Sequence, residues 1–285
     1  MPYAGSMLHM LQMLRREWPL PLSLVTAALF LLFGGRWLAD LSSPVWFGVL
    51  LVWLFTVILC SAFAVVRHAE ELAHEVGEPL GTLILTLSVT GIEVAMIAAV
   101  MLAGHGNPTL ARDAMFAVVM IVLNGMVGLS LLLGGLRHHE QNYNLQGANA
   151  FLAVLVPLAV LGLVLPNFTV SSPDPTFSPP QAVFLIVMSL GLYGVFLGIQ
   201  NVRHRDYFVE PEAQEAESAK DDGGPRAVAG HAVFLLVYIL PLVFLAKQLA
   251  VPINYGIGVL RAPAALGGFL VAALILSPES LGAVR

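Results

Sequence analysis

Two carboxylates sit where a carboxylate is costly. Glu93 is the single ionisable group in the apolar run 80–102, LGTLILTLSVTGIEVAMIAAVML, and Glu279 lies in a second apolar run, 264–284. A charged side chain at bilayer depth costs about 2.5–3.5 kcal/mol on insertion scales, so such residues mark a polar cavity, an ion or a partner. Two of them in two similar segments point to a path for a cation or a proton through a membrane. In the first run Thr82, Thr86, Thr90 and Glu93 follow one another at steps of four, four and three. That spacing puts them on one helix face, opposite Leu, Ile, Val and Met, and Gly91 thins the helix beside the acid. In the second run Ser277, Pro278, Glu279 and Ser280 are consecutive. Pro278 removes a backbone N–H and displaces the carbonyl one turn back, an oxygen that could then face a cation. Gly91 and Pro278 are the expected helix breaks. Thr86, Thr90, Ser277 and Ser280 are the expected supporting oxygens of a cation path that opens at Glu78. The competing reading, a packing stripe whose hydroxyls bond within their own helix, suits Thr82 far better than it suits the two glutamates.

The elements that must hold these residues are transmembrane helices. The chain is 58% hydrophobic and 11% charged, against about 25% charged in soluble domains, and its mean hydropathy is +0.84. Runs of roughly 20 apolar residues recur, without the alternation of a β-barrel. The expectation is an all-α polytopic bundle with spans at 20–39, 45–66, 80–103, 114–135, 148–166, 181–201, 228–249 and 263–285. A net charge of −5 gives no sign of a nucleic-acid partner; the partner is the lipid bilayer, and a homo-oligomer is allowed. The single cysteine, Cys60, excludes an intrachain disulfide framework. The apolar stretch after Arg15 and Arg16 is too long for a signal peptide and lacks a cleavage site, so it reads as a retained first span. Met7, Leu11 and Leu14 before it share a face suited to an interfacial helix. Lys and Arg gather in the intervals that face inward if the N-terminus is inside: Arg15, Arg16, Arg67, Arg137, Arg203, Arg205, Lys220, Arg226 and Arg285. The positive-inside rule then sets the N-terminus in the cytoplasm.

These spans divide the chain into an N-terminal segment at 1–19, a first transmembrane half at 20–202, an acidic linker at 203–227 and the start of a second half at 228–285. The linker carries seven acids between Asp206 and Asp222 at irregular spacing, which fits a solvated cytoplasmic loop and not an EF-hand. The stretch 68–78, HAEELAHEVGE, reads as a helix lying at the interface after span 2. Its acids and histidines could attract cations or sense pH, although solvated charge is the plainer account. His68 and His74 are six apart and share no helix face, so they do not make a zinc pair. Asn124 reads as packing glue between helices. The run Arg137-His138-His139-Glu140 reads as a topogenic cluster.

An internal repeat strengthens the two glutamates. With Gly81 aligned to Gly267, Glu93 falls on Glu279, twelve residues on in each case, and the two segments cross the expected topology in opposite senses, as inverted repeats require. The stretches 65–93, VVRHAEELAHEVGEPLGTLILTLSVTGIE, and 268–284, GFLVAALILSPESLGAV, resemble the two α-repeats of the calcium/cation antiporter superfamily, in particular the ChaA-type members of its proton-coupled branch. The first repeat would occupy about residues 45–103. The resemblance implies that Glu93 and Glu279 carry the cation and the exchanged protons. The usual Gly-Asn-Ala-Thr-Glu is replaced by Val89-Thr90-Gly91-Ile92-Glu93, and Gly-Asn-Ala-Ala-Glu-His by residues 275–280, ILSPES. With both asparagines and the histidine gone, sodium and potassium become candidates beside calcium.

The resemblance further implies a bacterial cytoplasmic membrane, no resident cofactor, and a second repeat cut short at residue 285, so a fragment is expected. The function expected is secondary active exchange of a cation, calcium or else sodium or potassium, for protons. The alternatives are a passive channel, a non-transporting subunit and an inactive fragment. An embedded hydrolase finds no HExxH or GxSxG to support it.

Overall fold

The computed structural model describes residues 16–77, 80–103, 110–139, 143–170, 177–199, 225–263 and 265–284. Among these every regular element is helical: α1 Pro19–Trp37, α2 Pro44–Val76, α3 Leu80–Ala103, α4 Leu110–His138, α5 Leu145–Phe168, α6 Pro179–Gly198, α7 Pro225–Leu260 and α8 Ala265–Val284. Seven of them are long and apolar enough to cross a membrane, and α8 contains a shorter apolar helix, Ala265–Ser280. The chain is thus a polytopic helical bundle, with each expected span falling on one helix. Residues 203–224 of the expected acidic linker, Glu78, and the expected interfacial face Met7, Leu11 and Leu14 lie outside the described residues, while the last three positions of that linker, 225–227, already belong to α7.

Local signals explain where the helices begin. Pro44 sits in the first turn of α2, where a missing N–H costs nothing, and the Ser43 hydroxyl accepts from Trp46 N–H. Asn144 caps α5 by accepting from Gln146 and Gly147 N–H, both at 3.0 Å. The Ser178 N–H donates to Gln181 Oε1 at 2.9 Å ahead of Pro179 in α6. Within α4 residues Ile121–Met126 form a π-helical turn, and there Asn124 Nδ2 donates to its own helix, to Met120 O at 3.3 Å. Asn124 was expected to bond between helices. A π-turn leaves carbonyls poorly matched within the helix, and the amide bonds one of them.

Packing separates two compact units. One holds α1, α2, α3, the first turn of α4, α7 and nearly all of α8; the other holds the rest of α4 with α5 and α6. In the first unit α7 packs along α2, α3 and α1, and α2 packs on α3. The core is formed by Phe30, Leu50, Leu54, Ile58, Tyr238, Leu242 and Leu245, all at most 2% exposed. At one end of this unit Trp37, Trp46 and Trp53 cluster with Phe30 and Phe33 at centroid separations of 5.4–6.1 Å, the kind of girdle that marks a membrane–water boundary. The other end is polar and is described below.

The stretch 68–78 departs from its expected form. It is not a separate interfacial helix, because α2 runs unbroken to Val76. Between Gly48 and Gly77 that helix holds no proline or glycine, and the φ of 74° at Gly77 ends the helix in a conformation that only glycine adopts without strain. A Cβ on Gly81 would lie 2.2 Å from the Ala73 carbonyl oxygen, so the start of α3 seats backbone against backbone on the last turns of α2.

Candidate cation site

Helix directions in the first unit follow from its contacts. Glu17, just before α1, meets His68 in the second half of α2 and Tyr238 in the first half of α7. Phe47 at the start of α2 packs on Tyr255 near the end of α7, with centroids 5.5 Å apart. Helices α1 and α7 therefore run one way and α2 the other. Helix α3 starts beside the last turns of α2, where Gly81 meets Ala73, and α8 starts beside the end of α7, where Gly267 meets Ile257, and comes to the Arg16 and Arg67 end at Pro278. As a result α3 and α8 cross the unit in opposite senses. The start of α8 agrees, because a Cβ on Gly268 would meet the Ala114 nitrogen at 2.9 Å, in the helix that follows the end of α3.

Each glutamate-bearing helix thus begins at a glycine where backbone meets backbone, Gly81 for α3 and Gly268 for α8. The sequence alignment paired Gly81 with Gly267. At Gly267 a Cβ would meet only side chains, Ile257 and Ile253, so the packing equivalent is its neighbour.

On α3 the exposed positions Leu80, Leu87, Gly91, Val94, Ala98 and Leu102 form one stripe. Glu93 lies on the other side, half-buried, with Met96, Ile97 and Val100 buried around it. Thr86 is partly buried and shares the Glu93 side. Thr90 sits at the border and is exposed. On α8 Glu279 is half-buried, next to the buried Pro278. Both carboxylates thus belong to the packed unit, one on each of two helices.

Two expectations about the surrounding atoms need correction. Gly91 and Pro278 do not break their helices, since α3 and α8 are continuous through both. A glycine costs a helix only about 1 kcal/mol. A proline in an apolar helix is tolerated where neighbouring segments and local adjustments satisfy the carbonyl it frees. Likewise Ser277 and Ser280 turn inward on their own helix, donating to Ala273 O at 2.6 Å and Leu276 O at 2.7 Å. The oxygen that Pro278 strips of its usual donor is the Leu274 carbonyl, one turn back.

A cavity of about 410 Å³ reaches this region from the polar end. Pro278 lines it, with Cys60, Phe63 and Ala64 on the α2 side and Arg16, Arg67 and Glu70 toward the aqueous boundary. Glu70 is the described carboxylate at that entrance, where sequence reasoning had placed Glu78.

The polar end itself is built from side chains far apart in sequence. Glu17 receives Arg67 at 2.5 Å, His68 Nε2 at 3.1 Å and the Tyr238 hydroxyl at 2.9 Å. Burial opposes ionisation of Glu17, but the hydrogen bonds from His68 and Tyr238 and the charge of Arg67 outweigh it and hold the carboxyl below its usual range. Glu71 pairs with Arg16 and lies 3.1 Å from His231. Neither Glu17, Tyr238 nor His231 stood out in the sequence, because the contacts that unite them span 51 to 221 residues.

Fold and site define a class: a multi-pass helical membrane protein in which two oppositely directed helices each carry a half-buried carboxylate within an apolar bundle. A family model described as sodium/calcium exchanger protein matches residues 46–202, and the chain belongs to that family. It is 41% identical over 266 residues to the sodium-potassium/proton antiporter ChaA of Escherichia coli (strain K12), covering 92% of this chain and 72% of that protein. It is 43% identical over 238 residues to y4hA of Sinorhizobium fredii (strain NBRC 101917 / NGR234), which carries a provisional name as an ionic transporter. That alignment covers 83% of this chain and 65% of the relative, so the chain spans just under two thirds of the length of y4hA. The family and both relatives are named for ion transport and none for catalysis.

Proposed function

We propose that this chain carries the paired carboxylates of a cation/proton exchanger, with Glu93 and Glu279 binding a cation or protons in turn. The observation that carries the reading is that the two acids, each half-buried, lie on helices of opposite sense in one packed unit, with Glu93 turned away from the exposed stripe of α3. Two like charges in a poorly solvated site need neutralising. Either protons or a cation can do so, and that competition becomes exchange once the site opens alternately to each side. The cavity ending at Pro278 is the approach from the Arg16 side, and the Leu274 carbonyl is a neutral oxygen within the same turns of α8.

The preferred cation is sodium or potassium, with calcium the weaker substrate. Calcium takes six to eight oxygens, and both serine hydroxyls beside Glu279 are engaged with their own helix. The relative ChaA is named for sodium and potassium, which favours the same choice. The membrane is the bacterial cytoplasmic membrane, with the Arg16 and Arg67 end in the cytoplasm in keeping with the positive-inside rule.

The test is transport in proteoliposomes holding an imposed pH gradient. Adding sodium or potassium should dissipate the gradient with wild-type chain and fail to do so with Glu93→Gln or Glu279→Gln. Cation flux that ignores the pH gradient would identify a channel. Full exchange in both variants would remove the glutamates from the mechanism.

A further inference from the structure

Three side chains at the polar end of the first unit have no place in the exchange just described, and their geometry is that of a metal site. His68 and Glu71 are one turn apart on α2, and His231 comes from the first turns of α7. His68 Nδ1 lies 3.1 Å from His231 Nδ1, His231 Nδ1 lies 3.1 Å from Glu71 Oε2, and His68 Nδ1 lies 3.7 Å from the same oxygen. We propose that His68, Glu71 and His231 bind one borderline divalent cation, zinc or a metal of like preference, with the fourth position open to water.

The triangle has the right size. Zinc holds imidazole nitrogen at about 2.0–2.1 Å and carboxylate oxygen at about 2.0–2.2 Å in tetrahedral geometry. Neighbouring ligand atoms then stand roughly 3.3–3.5 Å apart, the range that the three measured edges straddle. Protons do not serve the triangle as well. If only His231 carries hydrogen on Nδ1, it can satisfy one edge, and the bare nitrogen of His68 is left facing a bare carboxylate oxygen. If both rings carry it, two N–H groups confront each other across 3.1 Å. A cation satisfies all three edges at once.

The support around the site fits a ligand and not a chance meeting of polar groups. His68 is 3% exposed. Its Nε2 lies 3.1 Å from Glu17 Oε2; a proton on Nε2 donated to that carboxylate leaves the Nδ1 lone pair free for a metal. A carboxylate behind a ligating histidine is the usual outer partner of a metal. Glu17 is fixed in turn by Arg67 and Tyr238, and the His68 ring stacks on Phe234 at 5.0 Å with an interplanar angle of 4°. His231 and Glu71 are each 25% exposed, which leaves an open side for entry and for water. Arg16 pairs with the other oxygen of Glu71, Oε1, and is 57% exposed, free to withdraw into water when the ion arrives. A bound ion would tie α2 to α7 at this end. Neither α3 nor α8 contributes a ligand, so the site is separate from Glu93 and Glu279.

The experiment is a titration of the purified full chain, stripped by chelator, with zinc alone. Metal content is measured after desalting, and X-ray absorption at the zinc edge counts imidazoles. The expected result is one zinc per chain with two imidazoles, unchanged in the Glu93→Gln/Glu279→Gln double variant. His231→Ala and Glu71→Gln, both at partly exposed positions, should each weaken binding by at least about 100-fold, and Glu17→Gln by roughly 10-fold or more. Absence of stoichiometric zinc, a shell without imidazole, loss of binding in the glutamate double variant, or full affinity in both His231→Ala and Glu71→Gln would overturn the proposal. Should His231→Ala fail to fold, Glu71→Gln decides.

Discussion

The two compact units are made of equally apolar helices and differ in what those helices bury. In the first unit 28–44% of each candidate membrane span is covered by other parts of the chain, whereas in the second the share is 0–6%. Along α4, α5 and α6 large side chains such as Leu132, Leu136, Val187 and Leu190 are exposed, and the described buried residues of the second unit shrink to Ala117, Gly147 and Pro166. Lipid satisfies such surfaces as well as protein does, since there is no hydrophobic force between helices inside a bilayer. Apolar composition thus determines that a helix enters the membrane. Which helices pack together depends on small residues, close backbone approach and polar contacts, and in this chain those lie with the two glutamates.

The largest expected effect tests the functional half of that contrast. Glu93→Gln should reduce proton-coupled cation flux to the level of empty liposomes, while Leu132→Ala in the second unit should leave it within about twofold, as befits an exposed position far from any special feature. Equal loss in the two variants would end the assignment of function to the packed unit.

Next comes packing. Leu242 is fully buried in the core of the first unit. Leu242→Ala should cost about 2–5 kcal/mol through lost contacts and a residual cavity, and Leu132→Ala less than about 0.5 kcal/mol. Denaturation in detergent can separate the units, because all four tryptophans, Trp18, Trp37, Trp46 and Trp53, belong to the first. Their fluorescence should track the Leu242 variant and ignore the Leu132 variant. A comparable or smaller loss, about 1–3 kcal/mol, is expected for Gly81→Ala, whose new methyl must push the Ala73 carbonyl away. A tryptophan transition at the wild-type midpoint would show that α3 can shift freely on α2.

The same contrast explains what was legible in the sequence. Hydropathy located every span, because a run of 20 apolar residues has few other fates. Glu93 and Glu279 were visible because each is the lone acid in its run, and opposite crossing followed from counting spans. Periodicity could not see that α2 would absorb the stretch 68–78, since stopping a helix takes a breaker and the first one is Gly77. Nor could it see where the serine hydroxyls would point, because Ser277 and Ser280 satisfy themselves one turn back whatever lies across from them. The polar cluster was hidden for another reason. His231 and Tyr238 look ordinary in their own segment, and only the antiparallel docking of α7 on α2 delivers them to His68, Glu71 and Glu17.

That cluster gives the smallest effect and the sharpest difference between the units. Glu17 holds its proton more weakly in the folded chain than its ordinary value of 4.5, so the unfolded chain binds more protons through the range between the two values. Stability from Glu17 is therefore fully present above about 4.5, declines as the pH falls below that, and is gone once the pH has passed the folded value. The first unit should lose stability over this acid range as protonation of Glu17 removes the negative charge that strengthens its bonds from His68, Tyr238 and Arg67. Glu17→Gln should flatten that acid limb in the tryptophan transition and lower the midpoint at neutral pH. Tyr238→Phe should reduce the limb without abolishing it, because His68 and Arg67 still favour the charged carboxylate. If the limb keeps its full slope in Glu17→Gln, acid sensitivity resides elsewhere in the first unit, and the packed end is held together by its apolar contacts and not by the charge at Glu17.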